Sequence, residues 1–222
     1  PSKDNLISVG LNKKINWMPA NEVFGEGIFI SFSDKEISKW EEKNKKALPE
    51  RLNSMKQTYQ DGQLQFLPEP SNKFVLLHTF SHILIRQLSF ECGYGSSSLK
   101  ERIYCDESNM SGILIYTADS DTEGSLGGLI RQGKPDLFIP TTLTALEKAC
   151  WCSSDPICKE LAGQGMMGLN KAACHSCALL SETSCIAHNT LLDRMLLIGG
   201  ESDKFSGFFD SVLNNFLGKI KS

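Results

Sequence analysis

Six cysteines fall within the 36 residues from Cys150 to Cys185, and this clustering constrains the chain more than any other feature. Two further cysteines, Cys92 and Cys105, lie apart from it. An even number of cysteines suits a disulfide framework in small secreted chains of less than about 100 residues. Here the chain has 222 residues, 41% of them hydrophobic, and no apolar leader at its start. Such a chain can build a core of its own, so clustered thiols point to metal instead. Cys152 and Cys158 are separated by five residues that include Asp155 and Pro156, which form a turn. Cys174 and Cys177 form a C-x-x-C knuckle, and Cys185 follows after seven more residues. Two short-range pairs joined by a longer loop is the usual supply of ligands to tetrahedral zinc. The Gly- and Met-rich stretch 159–173 serves as that loop. The first-choice quartet is Cys152, Cys158, Cys174 and Cys177. Cys185 is the main substitute, and His175 and His188 are weaker ones. Four cysteines leave no open coordination position, so the expectation is one structural zinc. The competing reading is a set of buried, reduced thiols, which is also the expectation for Cys92, Cys105 and Cys150.

Composition excludes several classes. Twelve Phe, three Trp and four Tyr argue against disorder. A net charge of -3 excludes a chain that is basic as a whole, though not a local basic patch. No apolar run is long enough for a transmembrane helix, and the expected location is cytoplasmic. The chain begins with Pro1 rather than Met, as expected of a processed start or a piece of a longer protein.

The pattern along the chain predicts an α+β (mixed α/β) fold: a small central sheet packed by helices, with a Cys-rich, zinc-binding helical lobe. Residues 1–71 are expected to form an N-terminal strand/helix lobe and linker, and 72–222 a core domain that includes the zinc-binding segment 150–190. Residues 22–30 read as a strand interrupted by glycines. Residues 34–60 read as helical, capped by Ser33 or Asp34 and broken or restarted at Pro49. The strongest helix runs from Lys73 to Cys92 and is apolar on most sides. Its narrow polar stripe is His78, His82, Arg86 and Ser89. Ser98 and Glu101 are spaced as the capping box of a following helix. Residues 111–119 read as a central strand, 140–150 as a helix entered at Pro140, 189–197 as a helix or helix–strand junction, and 205–220 as an amphipathic helix.

The stripe raises the question of an active site. His78 and His82 have the spacing of two ligands in H-E-x-x-H, but Thr79 stands where the glutamate would be. A buried hydrogen-bond network is the plainer reading. An anion or DNA contact built from His78, His82, Arg86, Arg102 and Arg131 is the functional alternative. A metal-dependent nuclease or hydrolase would use His78, His82 and the acidic loop of Asp119, Asp121 and Glu123. The Gly-rich stretch after the strand lacks the Lys-Ser/Thr of a phosphate loop, so Gly127 and Gly128 read as packing residues.

Several stretches together carry a resemblance: EVFGEGIFI (22–30), LHTFSHILIRQLSFECGYGSSSLKERIY (77–104), GILIYTADSDTEGSLGGLIRQG (112–133), WCSSDPIC (151–158) and NKAACHSCALLSETSCIAHNTLLDR (170–194). They resemble the C-terminal domain of unknown function of the DrmB family, from the bacterial DISARM anti-phage system. A more divergent form follows the motor of MrfA-like repair helicases as a zinc-binding domain. The resemblance covers roughly residues 17–198. It implies zinc held by four of Cys152, Cys158, Cys174, Cys177 and Cys185, with Cys150 outside the family pattern. It also implies a DrmA-like helicase partner, DNA engaged through the complex, and no enzymatic activity of the domain itself. A stand-alone DNA-binding zinc module is the remaining alternative.

Overall fold

The computed structural model describes residues 24–62, 64–95, 97–106, 110–117, 128–200 and 205–220, with only the backbone of 217–220. Its centre is a helix, α3 (Asn72–Cys92). Ser71 caps it, accepting from the Phe74 amide at 3.0 Å, and Gly93 ends it at φ +72°, a left-handed conformation that glycine adopts without strain. Every residue from Phe74 to Ile85 is buried. Each fully buried Leu or Ile in this helix contributes roughly 1.5–3 kcal/mol of apolar burial.

Three antiparallel strands lie against it in the order β1-β3-β2: β1 (Gly27–Ser31), β2 (Leu99–Cys105) and β3 (Ser111–Thr117). The register pairs Ile28 with Ile115 and Glu101 with Ile115 from opposite sides of β3. The fold is therefore mixed α/β with a small antiparallel sheet, as its sequence pattern predicts. β3 is central because its apolar, β-branched run suits a strand flanked on both sides.

Among the described residues, two helices precede α3. Ser33 caps α1 (Asp34–Lys43), and α2 (Ala47–Asp61) carries Pro49 in its first turn, where a missing amide hydrogen costs nothing. Leu48, Leu52 and Met55 of α2 are buried at helical spacing. They share one continuous cluster with Ile28, the α3 apolar residues and Leu213. The described residues before α3 thus share a hydrophobic cluster with the elements that follow. The indole of Trp40 donates to the Ser206 carbonyl at 2.8 Å, and Asn44 exchanges two hydrogen bonds with the Ser206 backbone.

After the sheet come α4 (Gly128–Gln132), α5 (Pro135–Ala149), the single-turn helices α6 (Ile157–Glu160) and α7 (Met195–Ile198), and α8 (Asp210–Ile220). Four expectations are corrected here. Residues 99–105 form a strand instead of a helix capped by Ser98. Glu101 faces inward and is buried, so the alternation of this strand is masked by one acidic side chain. α5 begins at Pro135, and Pro140 lies inside it. Of residues 189–197 only the last turn is helical, because Asn189 and Leu191 have positive φ. α8 begins at Asp210. Phe205 and Phe208 precede it and pack on Trp40, while Phe209 stacks on Phe80 at 5.2 Å.

The helix start that a phosphate loop would use is occupied. The Glu26 carboxylate accepts from the amides of Leu129 and Ile130, both at 3.1 Å, and from the Tyr94 hydroxyl. Asp119, Asp121, Glu123 and Gly127 lie outside the described residues. Among the described residues no helix is long and apolar enough to cross a membrane.

The approach of α8 requires glycine. A Cβ on Gly207 would lie 2.2 Å from the Gly199 nitrogen and 2.5 Å from the Leu197 oxygen. We expect Gly207→Ala to lower stability by about 1–3 kcal/mol, the usual cost of forcing atoms into a packed core. The measurement is the denaturant midpoint, and an unchanged midpoint would show that this backbone contact is soft.

Candidate metal centre

Cys152 lies just beyond the end of α5, and Cys158 lies in α6 one loop later. Cys174 and Cys177 sit on a tight turn in which the amides of Cys177, Ala178 and Leu179 all donate to the Cys174 carbonyl, at 3.1, 2.9 and 3.1 Å. The four thiols converge. Sγ–Sγ distances are 3.5 Å for Cys152–Cys174, 3.8 Å for Cys158–Cys177 and 3.7 Å for Cys174–Cys177. A disulfide would bring two sulfurs to about 2.05 Å. Four sulfurs at tetrahedral zinc, each about 2.3 Å from the ion, stand about 3.8 Å apart. The observed spacing fits the ion and not the bond.

The sulfurs are also prepared as acceptors. The Cys174 amide donates to Cys177 Sγ at 3.2 Å, and the Ser154 amide to Cys152 Sγ at 3.4 Å. Gln164 braces the long loop, donating to the Cys158 carbonyl at 3.0 Å and to the Lys171 carbonyl. Burial and neighbouring thiols push the Cys158 thiol up to about 11, and burial pushes Cys177 higher still. Burial also raises Cys174, but hydrogen bonds from Cys152, the Ser176 backbone, Cys158 and Cys177 outweigh it and bring it down to about 6. A divalent ion bound here would displace thiol protons, which couples metal binding to folding and to proton release. Zinc held here would have four protein ligands and no open position.

Two arginines hold this frame, and the sequence pattern singles out only one of them. Arg86 projects from the exposed edge of α3 and donates to the carbonyls of His175 (3.3 Å), Ser176 (3.0 Å) and Leu179 (3.0 Å). Its guanidinium braces the knuckle. Arg194 is fully buried; it donates to the Ala149 carbonyl at 2.8 Å and pairs with Asp155. The other Asp155 oxygen accepts from the Cys152 amide at 3.1 Å. Asp155 therefore ties the loop between the first two cysteines to the segment beyond the last two. Neither Asp155 nor Arg194 has a motif to announce it; their pairing spans 39 positions of chain.

Cys185 is not part of this group. It lies with His78, His82 and Glu101 in a second cluster whose four ligand atoms are within 4.8 Å of one another. His78 and His82 are fully buried, so neither can contact DNA. Arg102 and Arg131 are exposed on β2 and α4 and do not join them. His175 and His188 are exposed and stand outside both clusters. Cys92, Cys105 and Cys150 are half-buried, and burial raises all three thiols, Cys92 to about 11, as for packing residues.

A mixed α/β body with a four-cysteine centre defines a class, and comparison with known families names it. The MrfA Zn-binding domain family matches residues 80–178, a span that contains all four converging cysteines and ends before Cys185. The chain is a homologue of DrmB. It is 46% identical over 202 residues to the DISARM protein DrmB of Bacillus paralicheniformis. That alignment covers 89% of this chain and 36% of the relative, so the chain spans about a third of the length of the protein it matches.

Two substitutions test the frame. Cys174→Ser is expected to lose one equivalent of zinc and to lower the thermal midpoint by roughly 10 °C or more, since structural zinc supplies folding free energy. A zinc-loaded, well-folded Cys174→Ser protein would refute this ligand assignment. Arg194→Met leaves Asp155 without its buried partner, and a loss of about 3–5 kcal/mol is expected in denaturant unfolding.

Proposed function

We propose that this chain is a non-enzymatic, zinc-stabilised accessory module of a DISARM-like anti-phage defence system. It contributes contacts to a DrmA-like helicase and, through that complex, to DNA in the cytoplasm. The observation that carries this reading is the 46% identity to DrmB along most of the chain. The chemistry of the site agrees with it. Four cysteine ligands fill a zinc coordination sphere, so the reading assigns zinc a structural role and any turnover to the helicase.

A surface beside the four cysteines suits nucleic acid. A cavity of about 780 Å³ is bounded by α3, α5 and the knuckle, with Arg86, Lys148, Trp151 and His175 in its lining. Trp151 and Phe90 are 71% and 75% exposed. The Lys148 ammonium lies 4.9 Å from the centroid of the Phe90 ring. Exposed rings offer stacking platforms to unpaired bases, and neighbouring cations serve the phosphates. We assign this groove to a DNA strand delivered by the helicase. With a net charge of -3, the isolated chain is expected to bind DNA weakly and with strong salt dependence.

The test has two arms. A tagged chain is retrieved from its native host and the retained proteins are identified; retention of a helicase supports the accessory reading. The retained complex is then titrated with single-stranded DNA. Trp151→Ala is expected to weaken binding by about 5- to 100-fold, the range for losing one stacked base. No retained helicase would remove the partner assignment, and unchanged binding would remove the groove. Divalent-ion-dependent cleavage by the purified chain would replace both with the nuclease reading.

A further inference from the structure

We propose that His78, His82, Glu101 and Cys185 form a second metal site, a closed N₂OS centre for a zinc-class divalent ion. It is separate from the four-cysteine centre and does not depend on the defence reading above.

Four ligand atoms converge on one point. His78 Nε2 lies 2.9 Å from Glu101 Oε1, 3.2 Å from Cys185 Sγ and 3.0 Å from His82 Nε2. His82 Nε2 lies 3.4 Å from the same Glu101 oxygen. Ligands about 2.0–2.3 Å from a tetrahedral ion stand roughly 3.3–3.7 Å apart. The cluster is at that scale, a few tenths of an ångström tight on its closest edges.

The orientation of the rings argues for a cation at the centre. His78 Nδ1 faces the Leu191 carbonyl at 3.3 Å, and His82 Nδ1 faces the Ala178 carbonyl at 2.9 Å. A carbonyl only accepts, so each Nδ1 carries a proton, and in the metal-bound form a neutral ring would direct its Nε2 lone pair inward. Two such lone pairs, a carboxylate oxygen and a thiolate would then meet with only acceptors facing one another. This is the arrangement by which backbone carbonyls orient metal-binding imidazoles. Cys185 Sγ accepts from the amides of Ala187 (3.3 Å) and Asn189 (3.2 Å), as a thiolate requires. The second Glu101 oxygen accepts from the Ser81 hydroxyl, which fixes the carboxylate. A carboxylate and a thiolate carry two negative charges, which one divalent ion balances.

All four residues are buried: both histidines are 0% exposed, Glu101 is 1% and Cys185 is 8%. Four protein ligands and no route for substrate make the site structural. Two imidazoles and a thiolate favour zinc over the hard cations, which take oxygen ligands. The ion would tie α3, β2 and the segment after the knuckle at one point. Its rival is a proton, held as an imidazolium against Glu101.

Zinc content and zinc-edge X-ray absorption of the intact chain decide between them, after loading with zinc and removal of free metal. Two equivalents of zinc are expected. The averaged shell would hold five sulfurs and three nitrogen or oxygen atoms per two ions, summed from the two clusters, with imidazole scattering. His82→Ala and Cys185→Ser should each reduce two equivalents to one while the remaining zinc becomes all-sulfur. One equivalent with a pure sulfur shell in the wild-type chain would overturn the site in favour of the proton. Two equivalents without imidazole scattering would overturn it equally. The wild-type measurement decides the question even if the variants fail to fold.

Discussion

A helix buried along most of its length can carry polar side chains only where each finds a partner, because an unpaired buried donor or acceptor costs about 1–3 kcal/mol. The rest of this structure is arranged around that demand by α3. Thr79 donates to the Val75 carbonyl and accepts from the Asp193 amide. Gln87 donates to Glu91 and accepts from Lys148. His78 and His82 look into the cluster with Glu101 and Cys185, and Arg86, one turn on, reaches the knuckle. The four-residue spacing thus directs one helix face to both clusters in succession. The Ala178 carbonyl that orients His82 belongs to the residue after Cys177, so a single peptide joins the two environments.

The charged pairs extend the same logic to segments distant in sequence. Asp193 and Arg194 are neighbours in sequence, and both are fully buried. Asp193 accepts two hydrogen bonds from Arg51 of α2, at 2.5 and 2.7 Å, while Arg194 pairs with Asp155 in the first cysteine loop. One dipeptide therefore connects the early helices to the metal-binding loops. Pairs of this kind are weak contributors to net stability, since desolvation offsets much of their attraction. Their consequence here is positional: they fix where Cys152 stands relative to Cys174.

Much of this was legible in the sequence because some signals are local. The C-x-x-C spacing, the cap at Ser33 and the β-branched run at 111–117 each act within a few residues. The quartet of Cys152, Cys158, Cys174 and Cys177 was readable for that reason. What was hidden depends on distant partners. β2 was obscured because Glu101, facing inward, breaks an alternation that an apolar residue would have kept. Phe205, Phe208 and Phe209 have helical spacing, yet they anchor to Trp40 and Phe80 instead. Cys185 looked like a reserve ligand for the quartet, since nothing local shows that it stands 3.2 Å from His78, 107 positions earlier.

A three-stranded sheet is a small frame, and the two clusters lie where it needs cross-links. Residues 150–200 have little regular structure: single helical turns, tight loops and several positive-φ residues between 165 and 191. Few of its backbone groups are satisfied by long ladders, so its shape rests on point constraints, namely Arg86, Arg194, Gln164 and the cysteines. The matched MrfA-type region, 80–178, contains the four-cysteine centre whole. The second cluster straddles both of its edges, with His78 before it and Cys185 after. A zinc-binding domain can therefore close its own loops with the first centre. The second cluster brings the start of α3 against the segment beyond the knuckle, residues on either side of the matched span.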